Sequence, residues 1–337
     1  MLSNRKILIV GPAWVGDMVM AQVLFKLLKQ KDPAVMIDVL APAWSEPLLN
    51  RMPEINRAII SPFGHGALLL KKRYDFAKKL RAERYSQAII LPNSFKSALI
   101  PFWAHIPIRT GWLGECRFGL LNNARILNKK NYPKMIDRFA ALAFPANHQL
   151  PSDFLIPKFN IQPEQVEHAL KKYNLKQSEK ILALCPGAEF GSSKRWLPEY
   201  FAAVANQKIS EGWSVWLFGS QNDLAIADEI QAITHNQCEN LIGKTNLSEA
   251  VDLLSLANTV VTNDSGLMHI AAALDRKVIA IYGSTSTAFT PPLSNKAAIL
   301  QLDLSCQPCF ARTCPLQHHN CMKLLLPSRV LLAMSSE

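Results

Sequence analysis

Short apolar runs alternate with stretches of helical period along this chain. The first run, Ile7-Leu8-Ile9-Val10 within 6–10, is followed by a helical pattern over 15–29. The pairing recurs at 36–41 with 46–51, at 57–61 with 67–84, and at 87–91 with 94–104. Strand and helix alternating in this way predict a parallel sheet covered by helices on both faces. A proline-rich passage over 146–163 breaks the period and is the predicted linker, dividing a domain 1–155 from a domain 156–337. Beyond it the alternation restarts, with strands predicted at 180–185, 214–218, 259–263 and 278–282 and helices at 198–211, 225–234, 247–257 and 266–274. The expected architecture is two doubly wound, Rossmann-like α/β domains in tandem, with no repeat of solenoid period and no low-complexity tract. Such sheets bind ligands beyond the carboxyl ends of their strands, so chemistry is expected just after each strand and the site is expected between the domains.

Composition agrees with two cores: 337 residues, 49% of them apolar, exceed what one core organises. No stretch approaches the roughly 20 uninterrupted apolar residues that span a bilayer. The N-terminal Met1-Leu2-Ser3-Asn4 leads straight into the first strand without the apolar core of a secretory signal, so a cytoplasmic location is expected. Charge adds an asymmetry. Residues 1–160 hold 23 Lys and Arg against 10 Asp and Glu, whereas 161–337 hold 14 against 16. Many of the cations fall on the predicted helix 67–84, as Lys71, Lys72, Arg73, Lys78, Lys79, Arg81 and Arg84. A basic half of this kind suits a polyanion or an anionic membrane surface, or simply solubility. Nucleic acid satisfies the charge alone, yet a basic face interleaved with aromatics and any nucleic-acid motif are missing, so it is not expected as a partner.

Four post-strand segments carry candidate chemistry. The first, Gly11-Pro12-Ala13-Trp14-Val15-Gly16-Asp17-Met18, departs from the dinucleotide fingerprint because Ala13 stands where the second glycine belongs. Asp17 is then either a capping residue of the first helix or a carboxylate facing the crevice. The second, from Cys185 to Pro198, holds Gly187, Gly191, Ser192, Ser193, Lys194 and Arg195, which supply the N–H groups, hydroxyls and cations that a diphosphate needs; an ordinary flexible loop is the alternative. The third, Asn263-Asp264-Ser265-Gly266-Leu267-Met268-His269, opens a helix whose N-terminus is an anion cradle, although Asp264 and Ser265 would also serve as plain caps and His269 as a buried structural histidine. The fourth, Tyr282-Gly283-Ser284-Thr285-Ser286-Thr287, is another hydroxyl-rich turn, and together these loops favour a bound nucleotide diphosphate in the second domain. Gly243-Lys244-Thr245 mimics the end of a P-loop, but Cys238 occupies the place of its first glycine. Seven cysteines, an odd number, are expected as reduced thiols. Four of them, Cys306, Cys309, Cys314 and Cys321, with His318 and His319 between, read either as zinc ligands or as a compact loop that docks the C-terminal segment.

Residues 11–17, 185–191 with Lys194-Arg195-Trp196, and 263–269, with Leu91-Pro92-Asn93-Ser94-Phe95-Lys96-Ser97-Ala98 and Arg109-Thr110-Gly111-Trp112, resemble the ADP-heptose:lipopolysaccharide heptosyltransferases, nearest to their heptosyltransferase II branch, in order over almost the whole chain. The resemblance implies a GT-B fold, two Rossmann-like domains with parallel sheets facing a central cleft. It implies an inverting transfer of heptose from ADP-heptose to the first heptose of the lipopolysaccharide inner core, without a tightly bound cofactor and without a metal. Asp17 becomes the expected general base. Trp14, Gly16, Asn93, Ser94 and Lys96 become the expected acceptor set on the first domain. Glu189, Ser192, Ser193, Lys194, Asp264, Ser265, Gly266 and Leu267 become the expected donor set on the second, Lys194 on the diphosphate and Asp264 near the sugar. The implied partners are the nucleotide sugar, a lipid A–Kdo–heptose acceptor and the anionic inner face of the inner membrane, with the C-terminal segment expected to pack back on the first domain.

Overall fold

The computed structural model describes residues 5–64, 66–151 and 155–335; the expected linker's 152–154 and the N-terminal 1–4 lie outside them. The chain divides into two compact units, Met1–Asn160 and Ile161–Glu337. In the first, the elements run β1 (Lys6–Val10), α1 (Val15–Lys31), β2 (Met36–Ala41), α2 (Glu46–Leu49), β3 (Arg57–Ile60), α3 (Leu70–Leu80), β4 (Gln87–Ile90), α4 (Phe95–Trp103), β5 (Ile108–Trp112), β6 (Asn123–Arg125) and α5 (Met135–Ala141). In the second they run α6 (Pro163–Lys172), β7 (Ile181–Cys185), α7 (Pro198–Ser210), β8 (Ser214–Leu217), α8 (Leu224–Ile233), β9 (Glu239–Asn240), α9 (Leu247–Leu254), β10 (Thr259–Asn263), α10 (Gly266–Ala273), β11 (Lys277–Ile281), β12 (Ala297–Leu300), α11 (Asn320–Lys323) and α12 (Pro327–Ser335).

Among the described residues each unit holds one six-stranded sheet, ordered β3-β2-β1-β4-β5-β6 and β12-β11-β10-β7-β8-β9, and neighbouring strands are parallel throughout. The central strands are apolar on both faces because both faces are covered: Ile7, Leu8 and Ile9 are fully buried. Leu8 and Val10 join the core under α3 and α4, so Ile7 and Ile9, alternating with them, point to the face that α1 and α5 cover. In the second unit Leu182, Leu184, Val261 and Ile279 pack with Trp196 and Phe201 under α7 and α8. That core also takes Met322, Leu325, Val330 and Met334. The C-terminal segment packs on the second unit's sheet, with α12 against α7, β11 and β12.

Some expectations shift. The helix expected over 67–84 starts only at Leu70, because Leu69 is left-handed at φ 44°, and it tightens into a 3-10 turn over Arg81–Glu83. The linker region contributes α6, which begins on Pro163, a residue whose fixed φ and missing N–H suit the first helical position. No helix among the described residues is long and apolar enough to cross a membrane.

Candidate functional site

Strand order reverses between β1 and β4 in the first unit, where Val10 pairs with Ile90 at the carboxyl ends of both strands. That is the switch point at which open α/β sheets bind ligands, and it carries two of the predicted segments. After β1, Trp14 is the N-cap of α1, with extended backbone and 49% of its side chain exposed. Gly16 and Asp17 follow at the second and third helical positions and keep part of their surface in solvent. Asp17 is thus not the cap; it is a first-turn acid, favoured by the positive end of the helix. After β4, Asn93 is exposed, Ser94 stands at the N-cap position of α4 and Lys96 lies half-buried in its first turn. Sequence reasoning missed the residue underneath. Arg117, fully buried, donates to the Pro92 carbonyl at 2.7 Å, to Asn93 Oδ1 at 3.2 Å and to the Trp112 carbonyl, and so fixes the loop that presents Asn93.

The second unit reverses its order between β7 and β10, where Cys185 pairs with Thr262. The two loops leaving these strands meet. Lys194 Nζ donates to Asp264 Oδ2 at 2.6 Å, and the Thr285 hydroxyl donates to the same oxygen at 2.5 Å. The pair is largely buried, with 13% and 5% of the side chains exposed, so each charge is held mainly by the other. Lys194 also lies 4.9 Å from the centre of the Phe190 ring. Asn263, fully buried, ties the loops together by accepting from the Trp196 N–H at 3.0 Å and donating to the Pro186 carbonyl at 2.7 Å. Next to the ion pair, Ser265 caps α10, and Ser265, Gly266 and Leu267 are half-exposed where the first N–H groups of a helix lack intrahelical acceptors.

The remaining expected donor residues divide. Glu189 and Ser192 are exposed on the β7–α7 loop. Ser193 is buried, its hydroxyl donating to the Ala311 carbonyl and lying 2.9 Å from Ser284 Oγ, which makes it a strut of the loop. Arg195 turns from Lys194 toward Asp223, 3.7 Å away, a carboxylate that no local pattern marks.

Residues 306–314 strap these loops. The Ser193 N–H donates to the Arg312 carbonyl at 3.1 Å, the Phe310 N–H to Ser284 at 2.8 Å, and Gln307 Nε2 to Gly283 at 2.7 Å. Gly191 has φ 154°, and a Cβ there would stand 2.2 Å from the Arg312 carbonyl oxygen. Gly191→Ala is therefore expected to lower stability by about 1–3 kcal/mol and to weaken nucleotide binding, read as a lower melting temperature and a smaller ADP-induced shift. Behind the strap, Cys306, Cys309, Cys314 and Cys321 line one small cavity with Ser193 and Ser284. The backbone N–H of His319, helped by those of Leu316, His318 and Gln317, holds the Cys314 thiol below its ordinary value, while burial and then the neighbouring thiols push Cys321 up. Among the described residues no group of three or more His, Cys, Asp and Glu side chains is placed to hold a metal ion.

The profile of glycosyltransferase family 9 (heptosyltransferase) matches residues 73–320. The chain belongs to this family. Its sequence is 49% identical to lipopolysaccharide heptosyltransferase 2 of Salmonella typhimurium over 306 residues, 88% of each chain, and 47% identical to lipopolysaccharide heptosyltransferase 2 of Escherichia coli over the same share. The solved structure of the Escherichia coli ADP-heptose LPS heptosyltransferase II superposes with a TM-score of 0.89 at 43% identity, covering 98% of this chain and 97% of that one. The protein is a glycosyltransferase of the GT-B fold class.

One further group of this heptosyltransferase sits beside the ion pair. His269, in α10, is buried, and burial is the main reason its pKa falls to about 4, with Asp264 pulling it up and Lys194 pushing it down. It is neutral near pH 7. Because the unfolded chain takes up this proton at an ordinary pKa near 6.5, the unfolded state binds more protons across the window between the two values. The contribution is complete above about 6.5 and is lost as pH falls toward about 4. It amounts to on the order of 3 kcal/mol. Melting curves between these pH values are expected to show a smaller acid loss in His269→Gln than in the parent; equal losses would assign the acid sensitivity to other groups.

Proposed function

We propose that this heptosyltransferase moves the heptose of ADP-heptose onto the first heptose of the lipopolysaccharide inner core, with inversion at the anomeric carbon. The observation that carries the reading is the Lys194–Asp264 pair beside the N-terminus of α10, at the switch point of the second unit. A cation and free helix-end N–H groups fixed in place are what a leaving diphosphate requires as it gathers charge. Asp264 holds Lys194 in position and takes a hydroxyl of the sugar. Ser265, Gly266, Leu267, Glu189 and Ser192 complete the donor set, while Ser193 holds its loop.

In the first unit Asp17 is the general base. An acceptor hydroxyl attacks the anomeric carbon as Asp17 removes its proton, the bond from that carbon to the diphosphate oxygen breaks, and ADP departs from the opposite face. One in-line displacement gives inversion. Trp14, Gly16, Asn93, Ser94 and Lys96 form the acceptor set. With the leaving group's charge met by Lys194 and α10, turnover is expected without an added metal or a bound cofactor. The acceptor is lipid A–Kdo–heptose, anchored by its acyl chains, so the enzyme works from the cytoplasm at the inner face of the inner membrane.

Thermal shift tests the donor reading. ADP and ADP-heptose should raise the melting temperature, by an amount that grows with ligand concentration over Kd, and UDP should do so far less. Equal shifts with both nucleotides, or with neither, would overturn ADP-heptose as the donor.

A further inference from the structure

The first unit leaves an apolar and aromatic surface uncovered along the seam of α3 and α4. Helix α3 buries Arg73, Ala77 and Leu80, spaced four and three apart, against the core. Arg73 reads as one of the helix's surface cations, but it is 6% exposed, donates to the Leu68 and Ala67 carbonyls and lies 4.3 Å from the Phe63 ring. The flank of α3 next to that buried stripe carries Leu70 and Tyr74, 49% and 40% exposed. Leu68 and Leu69, before the helix, are 47% and 42% exposed.

This surface continues onto α4. The Tyr74 ring meets the Trp103 ring edge-on at 5.8 Å, and Phe102 beside it is 39% exposed. Cations rim it: Lys78 and Arg81 lie 5.9 and 5.8 Å from the Tyr74 ring, Arg81 also donates to the Trp103 carbonyl at 2.9 Å, and Arg109 lies 5.4 Å from the Phe102 ring. Lys71 and Lys72 stand exposed next to Leu70. Leucine at the tip, tyrosine, tryptophan and phenylalanine along the seam, and lysine and arginine at the rim match the layers of a bilayer interface, acyl boundary, headgroup and anionic surface in turn. A water-facing solubility helix needs only the cations; the exposed leucines and Phe102 serve no solubility role.

We propose that the α3–α4 face docks this enzyme onto an anionic bilayer, with Leu68, Leu69 and Leu70 entering the interface and the rim cations pairing with acidic headgroups. The proposal rests on the reading of a lipid-anchored acceptor, and it adds the surface and an apolar component to what net charge alone suggests. Contributions from cations fade with salt, whereas buried apolar side chains keep theirs. The two components can thus be separated.

The test is co-sedimentation of the full-length protein with vesicles of phosphatidylethanolamine and phosphatidylglycerol, across a salt series, for the parent, Lys71→Ser/Lys78→Ser and Leu70→Ser/Phe102→Ser. The parent should bind at low salt and keep a residue of binding at high salt. The lysine variant should lose low-salt affinity by roughly thirtyfold, about 1 kcal/mol for each of the two cations removed being the expected scale. The apolar variant should lose the salt-resistant part. Unchanged sedimentation of both variants, or an apolar variant indistinguishable from the parent at every salt, overturns the proposal. So does a parent that is a dimer in solution and becomes a monomer in the apolar variant, since the face would then cover a second copy. Transfer onto a de-acylated, soluble acceptor should be equal in all three proteins; if that transfer is missing in the parent while vesicle binding follows the pattern above, the failure belongs to the proposed reaction and the docking face stands.

Discussion

Replacing Asp17 by Asn is expected to cut turnover by about a hundredfold or more while leaving ADP binding intact. Asn keeps the size and hydrogen-bonding shape of the side chain but cannot take a proton, and a positioned general base is worth roughly 10²–10⁴-fold. Trp14, not Asp17, is the N-cap of α1, and the charge of Asp17 in the first turn is worth about 0.3–1 kcal/mol to the helix. A fall in kcat with an unchanged ADP thermal shift would separate chemistry from folding. Turnover within a few-fold of the parent would leave Asp17 a first-turn acid with no part in the reaction.

The second large effect is expected at Lys194. Loss of a charge-assisted bond to a diphosphate, at about 1.5–3 kcal/mol, predicts a drop of between ten- and a hundredfold in kcat/KM for ADP-heptose, with the acceptor KM little changed. The structure complicates the simple variant. Lys194 and Asp264 are buried together, and removing the cation alone strands a buried carboxylate at a cost of roughly 3–5 kcal/mol. Lys194→Met/Asp264→Asn removes both charges, leaves Thr285 a hydrogen-bond partner and should melt near the parent. If the double variant is folded and uses ADP-heptose as well as the parent does, the diphosphate is held elsewhere.

How far these residues could be read from sequence follows from the range of the forces that place them. The strands β1, β2 and β10 fall on their predicted bounds because short segments rich in apolar and β-branched residues suit strands covered on both faces. The loops after β1, β4, β7 and β10 were legible for the same reason: once the strands are placed, topology puts the switch points at their ends. The strap was not. Ser193 and Ala311 are 118 residues apart in the chain, and no local period marks Arg312 or Gln307 as partners of the donor loops. Arg117 and Arg73 escaped for another reason. A charged residue reads as surface, yet a guanidinium can be buried when carbonyl oxygens meet its N–H groups, as Pro92, Trp112, Ala67 and Leu68 do here. Strands β5 and β6 are hard to read because their short segments mix glycine, arginine and asparagine with few apolar residues, and helix α5, seven residues long, spans too few turns to show a helical period.

The central claim is the transfer itself, and the most direct measurement is the mass of the acceptor after incubation with the enzyme and ADP-heptose. The account expects lipid A–Kdo–heptose to gain one heptose and lipid A–Kdo, which lacks the first heptose, to gain none. A gain on the heptose-free acceptor, or no gain on either, would contradict it.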